Sequence, residues 1–266
     1  MKILVVNSTY RPKGTTTELA RSFMQGAESS GAEVDMIMLQ EKTINYCTNC
    51  LKCYSFTEDG IAPCILKDDM DEIISRIVES EGVLFASPVH NGFVTGLMTV
   101  FLERLVWRVC RSSSPVINCM GLESRVNDKV RALGSIVSAG GMPERLRKFC
   151  DGGTPWLKDN ATLMLHGHWI GDIYAGAELE HLPQSDQDWK RLYFLRRLSK
   201  DQQKRAHKLG VSMVKAIKSG GLKPVTMEKL INPALRWSIE LYCKVFPNYR
   251  LAGGRPAEKQ EKPGNK

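Results

Sequence analysis

Lys2–Val6 is a short, unbroken apolar run of the kind that forms a strand buried on both faces. It ends at Asn7 and opens into Ser8-Thr9-Tyr10-Arg11-Pro12-Lys13-Gly14-Thr15-Thr16-Thr17, a stretch dominated by hydroxyls. From Glu18 to Glu28 the pattern changes again. Leu19, Phe23 and Ala27 share one stripe, which predicts an amphipathic helix. Strand, hydroxyl- and glycine-bearing loop, then helix N-terminus is a ready anion site, because free backbone N–H groups and the positive end of the helix dipole meet there. Neither G-x-G-x-x-G nor G-x-x-x-x-G-K-[ST] is present, so the dinucleotide and Walker fingerprints are absent. Ser8, Arg11 and Thr15–Thr17 instead suit a phosphate monoester. Helix capping explains the same hydroxyls without any ligand.

The rest of the chain alternates in the same way. Glu33–Leu39 reads as a second strand and Asp68–Glu79 as a helix with acids in its first turn. Gly82–Ala86 is a buried strand ended by Ser87-Pro88, and Gly96–Arg108 is helical, with Leu97, Phe101, Leu102 and Leu105 inward. Val130–Ser138 is a fourth strand, followed by Ala139-Gly140-Gly141 and a helix from Pro143 to Cys150. Ala161–Leu165 is expected to be the fifth strand, and Asp186–Ser219 carries a long helical pattern. Strands alternating with helices predict a doubly wound parallel sheet of flavodoxin-like order 2-1-3-4-5. Ligands of such sheets lie beyond the carboxyl ends of the strands, at the switch point. Ser8–Thr17, Ser87–Gly92 and Ser138–Gly141 would converge there, and that convergence favours the phosphate reading over simple capping.

Length and charge add bounds. With 266 residues, 42% apolar and 25% charged, the chain has the composition of a soluble globular protein. It has no run long enough for a membrane helix and no signal-type N-terminus, so a cytoplasmic protein is expected, with no nucleic-acid partner. The net charge of +8 is concentrated: Trp189–Lys208 holds eight basic residues and one acidic residue, read as one helical face. Residues 1–220 are expected to form the main domain, with a cysteine-bearing insertion at about 45–66. Residues 221–266 would add a helix over Pro233–Phe246 and a polar, disordered tail. Trp156, His166, His168 and Trp169 are expected near the end of the fifth strand, on a substrate pocket's rim.

Ser8, Arg11 and Gly14-Thr15-Thr16 resemble the phosphate loop of the NADPH-dependent FMN reductase family, G-S-x-R-x-x-G-N-T. Ser87-Pro88-Val89-His90-Asn91-Gly92 resembles its S-P-V-Y segment, and Met98–Arg104 its following L-K-x-F-L-D-R helix. Ser138-Ala139-Gly140-Gly141 stands where that family has a third, glycine-bearing loop. Thr15 replaces the usual Asn, His90 the usual Tyr and Glu103 the usual Asp. The resemblance spans roughly residues 1–170. It implies FMN held by Ser8, Arg11, Gly14, Thr15 and Thr16 at the phosphate, and by Pro88, Val89, His90, Asn91, Gly92, Ser138, Gly140 and Gly141 around the ring. It also implies NAD(P)H as donor, a small-molecule acceptor or a redox protein as partner, and a homo-dimer or tetramer. Hydride transfer at the flavin needs no protein acid or base, so no catalytic residue is assigned.

Cys47, Cys50 and Cys53 follow C-x2-C-x2-C, with Cys64 further on. Such spacing sets successive thiolates around one inorganic core, and a remote fourth closes it. Run Cys47–Met70 resembles the subgroup that includes the iron–sulfur flavoproteins, where the fourth cysteine follows more closely. A 4Fe–4S cluster, structural zinc and a metal-free segment with a Cys47/Cys50 dithiol are all compatible with these residues. Two function classes follow: a flavin oxidoreductase serving a quinone, flavin or other small acceptor, or an electron carrier between protein partners. A third, weaker class is an FMN-binding sensor.

Overall fold

The computed structural model describes residues 1–112, 122–140, 142–176, 178–179, 181–190, 196–226 and 232–245. Its centre is a parallel sheet of β1 (Lys2–Asn7), β2 (Glu33–Met38), β3 (Gly82–Pro88), β6 (Arg131–Ala139) and β7 (Gly167–Gly176) in the order β2-β1-β3-β6-β7. Counting sheet strands alone, this is the expected 2-1-3-4-5 order. The two short pairs β4–β5 (Cys110–Ser112 with Leu122–Ser124) and β8–β9 (Glu178–Leu179 with Arg196–Arg197) are antiparallel.

Side chains alternate across the sheet and feed two cores. Leu4, Val6, Val83, Phe85, Leu133 and Val137 pack beneath α2 (Met70–Glu79), α3 (Gly96–Val109) and α4 (Gly153–Met164). On the other face, Ile3, Val5, Leu84 and Ile136 meet α1 (Thr15–Ser29) and α6 (Lys200–Lys218). The last two helices cross at glycines. A Cβ added to Gly26 would lie 2.0 Å from the His207 carbonyl oxygen, and one added to Gly210 would lie 2.2 Å from that of Phe23. Only glycine permits backbones this close.

The fifth strand is not where the sequence reading puts it. Ala161–Leu165 ends α4 and the turn after it, with Leu157, Ala161, Met164 and Leu165 buried at helical spacing. A five-residue apolar run does not distinguish a strand from a buried helix segment. The true strand, Gly167–Gly176, lies at the sheet edge with its first half only partly covered, and its glycines interrupt the apolar pattern. His166, His168 and Trp169 therefore sit at its amino end, away from the loops at the switch point.

Two further corrections concern helices. Pro143–Cys150 holds a 3-10 turn, Glu144–Phe149. The basic run is not one helical face: α5 (Asp186–Lys190) stops, Arg196–Arg197 is extended, and α6 starts afresh at a Ser199 capping box. Beyond it lies α7 (Pro233–Val245), with Leu235, Trp237 and Leu241 exposed. The expected disordered tail falls outside the described residues. Among the described residues no helix is long and apolar enough to cross a membrane.

Candidate functional site

Three loops leave the carboxyl ends of β1, β3 and β6, and hydrogen bonds tie them together. The buried Ser8 hydroxyl accepts from Thr95 Oγ1 at 2.8 Å, and Ser8 N–H donates to the Ala86 carbonyl at 2.8 Å. Thr16 Oγ1 and Ser138 Oγ lie 2.6 Å apart, joining the start of α1 to the end of β6. Val89 N–H donates to the Ser138 carbonyl at 2.7 Å. The loops thus form one unit built on adjacent strands.

Within the first loop, Asn7 organises the exit from β1. Its Oδ1 accepts the Thr9 N–H at 3.1 Å and its Nδ2 donates to Thr17 Oγ1 at 3.2 Å. Gly14 N–H donates to the Arg11 carbonyl at 2.9 Å, closing a tight turn in which a Cβ on Gly14 would press against Arg11 at 3.2 Å. Gly14 is also the N-cap of α1 and has no side chain to cap it. The first-turn N–H groups of Thr15, Thr16 and Thr17 have no acceptor within the helix, and Arg11, in the loop just before it, is exposed.

The second loop carries a turn at His90-Asn91-Gly92-Phe93, closed by His90 N–H to Phe93 O at 2.8 Å and the reverse bond at 3.0 Å. Asn91 and Gly92 have φ of 50° and 74°, the pair of left-handed residues that a type I′ turn needs. The His90 ring is parallel to Tyr10, with centroids 5.9 Å apart and planes 9° apart. Thr95 N-caps α3, accepting from Met98 N–H at 3.2 Å. Gly140 is half-buried at the third loop, and Gly141 lies outside the described residues.

The arrangement therefore gathers Ser8, Arg11, Gly14, Thr15, Thr16, Pro88, Val89, His90, Asn91, Gly92, Ser138 and Gly140 at one end of the sheet. Their jobs differ. Ser8, Thr16 and Ser138 are at most 6% exposed and bond to protein, so they shape the cradle. Arg11 and the 90–92 turn are exposed, and Thr15 is half-buried. Thr95 and Tyr10 were missed by the sequence reading. Thr95 had a legible signal, a hydroxyl residue directly before a helix, whereas Tyr10 had none.

The cysteine segment is mounted separately, on arginines. Arg104 is nearly fully buried with Asp68 (2.6 Å), and also donates to the Asn45 carbonyl at 2.6 Å and to Cys64 Sγ at 3.6 Å. Burial works to raise the Asp68 carboxyl, but hydrogen bonds from Arg104 and from the Asn45 and Met70 amides hold it below the usual carboxylate range. Arg108 donates to the Ala62 carbonyl, and Arg125 to the Glu58 carbonyl (2.7 Å) and to that of Phe56. The loop between these anchors has left-handed backbone at Asn49 and Leu51, and Asn49 N–H donates to Cys47 Sγ at 3.4 Å.

Cys47 and Cys50 are exposed, and Cys53 and Cys64 half-buried. Burial raises the Cys53 thiol, and the neighbouring Cys64 and Cys47 raise it further. Four thiols are the right donors for a cluster or zinc, yet among the described residues no three potential ligands are gathered closely enough to hold a metal ion. Cys110 is a packed thiol, pushed up to about 12 by burial.

A family model described as NADPH-dependent FMN reductase matches residues 1–146. An iron–sulfur flavoprotein of Methanocaldococcus jannaschii is 34% identical over 104 residues, 39% of this chain and 51% of the relative. One of Archaeoglobus fulgidus is 34% identical over 106 residues, 40% of this chain and 46% of the relative. The chain thus spans about half the length of these curated relatives. A solved flavone reductase superposes with a TM-score of 0.54 at 19% identity, covering 82% of this chain and 63% of that one. That likeness shows the fold.

Proposed function

The chain belongs to the NADPH-dependent FMN reductase family, and from that premise we propose that it is an FMN-dependent oxidoreductase that takes hydride from NAD(P)H and delivers electrons to a quinone, flavin or other small acceptor. The observation that carries this reading is the three-loop unit at the carboxyl ends of β1, β3 and β6, with the uncapped start of α1 at its mouth.

The residues present fit FMN in kind. The Thr15–Thr17 amides, the Thr15 hydroxyl and the Arg11 guanidinium supply donors for a phosphate. Ser8 and Thr16 fix those donors through Thr95 and Ser138 rather than reaching the ligand themselves. Pro88, Val89, His90, Asn91 and Gly92 offer backbone and a planar ring for the isoalloxazine, and Gly140 and Gly141 allow its close approach. Bound FMN would supply two-electron acceptance and onward release of electrons. Metal: none is needed for that role. In this reading the protein is cytoplasmic and works as a homo-dimer or tetramer.

Anaerobic mixing of the FMN-loaded protein with NADPH and NADH tests the reading. Bleaching of the flavin band by at least one nucleotide is expected; a flavin that neither reduces would defeat the reductase assignment.

A second reading, an iron–sulfur electron carrier, draws support from the arginine-mounted cysteine loop and from the names of the relatives. It assigns Cys47, Cys50, Cys53 and Cys64 as cluster ligands. Anaerobic iron and sulfide analysis decides it: about four irons per chain support a 4Fe–4S cluster, and fewer than about three count against it.

A further inference from the structure

The third loop leads from the carboxyl end of β6 to the 3-10 turn Glu144–Phe149, and both of its ends are fastened. At the near end Ser138 is held by Thr16 and Val89. At the far end Met142 lies against the end of β7. A Cβ added to Gly176 would come within 2.2 Å of the Met142 carbonyl oxygen, so that glycine leaves room for the loop's backbone. The same carbonyl accepts the Tyr174 hydroxyl at 3.0 Å. Only Ala139, Gly140 and Gly141 stand between Ser138 and Met142.

The surroundings of Tyr174 hold it still. The residue is fully buried, and the Arg147 guanidinium lies 5.3 Å from its ring centre. Arg147 is itself paired with Asp151 and Asp172, at 2.8 and 2.5 Å. Glu144, at the start of the 3-10 turn, is tied to Arg205 of α6 by bonds of 2.6 and 2.8 Å. Gln202, from the α6 capping box, donates to the Gly176 carbonyl at 2.7 Å.

The phenol has one proton to give. Because it goes to the Met142 carbonyl, the Cys150 thiol, 3.1 Å away, donates to the phenol oxygen. Burial, with Cys150 and Asp151 beside it, pushes the phenol well above the ordinary tyrosine value, so the proton stays on it.

We propose that Tyr174 is the positioning residue of the third loop, its hydroxyl holding Met142 so that the glycine pair meets the flavin ring already formed. Glycine has the most backbone freedom to lose, so a loop released at one end would order only on binding, at the expense of affinity. Fastened at both ends, three residues have little freedom left to give up. The inference rests on the FMN reading above and adds to it a strand residue outside the three loops.

Hydrogen exchange on the flavin-free full chain and titration with FMN, both repeated on Tyr174→Phe, test it together. In the variant, amides of the 139–146 segment should exchange about tenfold faster. FMN affinity should fall about five- to tenfold, as for loss of one hydrogen bond, and the visible circular dichroism of the bound flavin should change. Cys150→Ala keeps the Tyr174–Met142 bond and should leave FMN affinity within about twofold. Ile77→Val, a core truncation on α2, controls for lost stability and should spare both readouts.

Unchanged exchange in Tyr174→Phe, or an FMN loss no larger than that of Ile77→Val, would overturn the assignment. An equal loss in Cys150→Ala would overturn it too, by moving the effect to the thiol. Failure of the wild-type chain to bind FMN would instead sink the FMN reading, and the exchange rates would still decide whether Tyr174 holds the loop.

Discussion

Asp68 and Arg104 form the most consequential residue pair outside the loops. Their side chains are 1% and 2% exposed, and the guanidinium also reaches Asn45 and Cys64. The Asp68 carboxyl titrates below its ordinary range, so near that range the unfolded chain binds more protons than the folded one. The pair's stabilisation is therefore complete above the ordinary carboxylate value and lost as pH falls through the depressed one. Asp68→Asn leaves a buried guanidinium without its counter-charge, which should cost about 3–5 kcal/mol at neutral pH. Denaturant titrations across pH 3–7 should show a steep acid loss in the wild type and a shallower one in the variant. Parallel curves would mean that other carboxylates govern acid stability. At this scale the sequence was only partly legible. Asp68 read only as the start of a helix with acids in its first turn, since its partner lies 36 positions away.

At the scale of elements, what was legible followed periodicity. The β1 run, the Leu19/Phe23/Ala27 stripe and the buried β3 each had an unambiguous local pattern and fell where expected. The fifth strand did not, because an edge strand with glycines shows little apolar signal while the end of α4 shows a strong one. The α1–α6 crossing was invisible too: nothing local marks Gly26 and Gly210 as partners. Gly210→Ala drives a methyl to within 2.2 Å of the Phe23 carbonyl oxygen and 2.8 Å of the Ala27 nitrogen, both backbone atoms. The helices must separate, at a cost of about 2–3 kcal/mol or more. Chemical denaturation measures this directly, and a loss below about 1 kcal/mol would mean that the crossing is looser than described.

Across the whole molecule, the doubly wound topology turns three separated sequence motifs into one site. Ser8, Val89 and Ser138 are far apart in the chain, yet β1, β3 and β6 are neighbours in the sheet, and short hydrogen bonds join their loops. The convergence was legible once the strand order was predicted. The division of labour was not, because burial decides which hydroxyls are spent on the protein and which donors are left for a ligand. The central claim is that the donors left over bind the phosphate of FMN. Equilibrium titration of flavin-stripped protein with FMN, alongside Arg11→Ala, tests it most directly. One FMN per chain with a bound-flavin spectrum is expected, with affinity weakened about ten- to hundredfold in the variant, as loss of a charge-assisted hydrogen bond implies. Absence of FMN binding by the wild-type chain, or equal affinity in the variant, would contradict it.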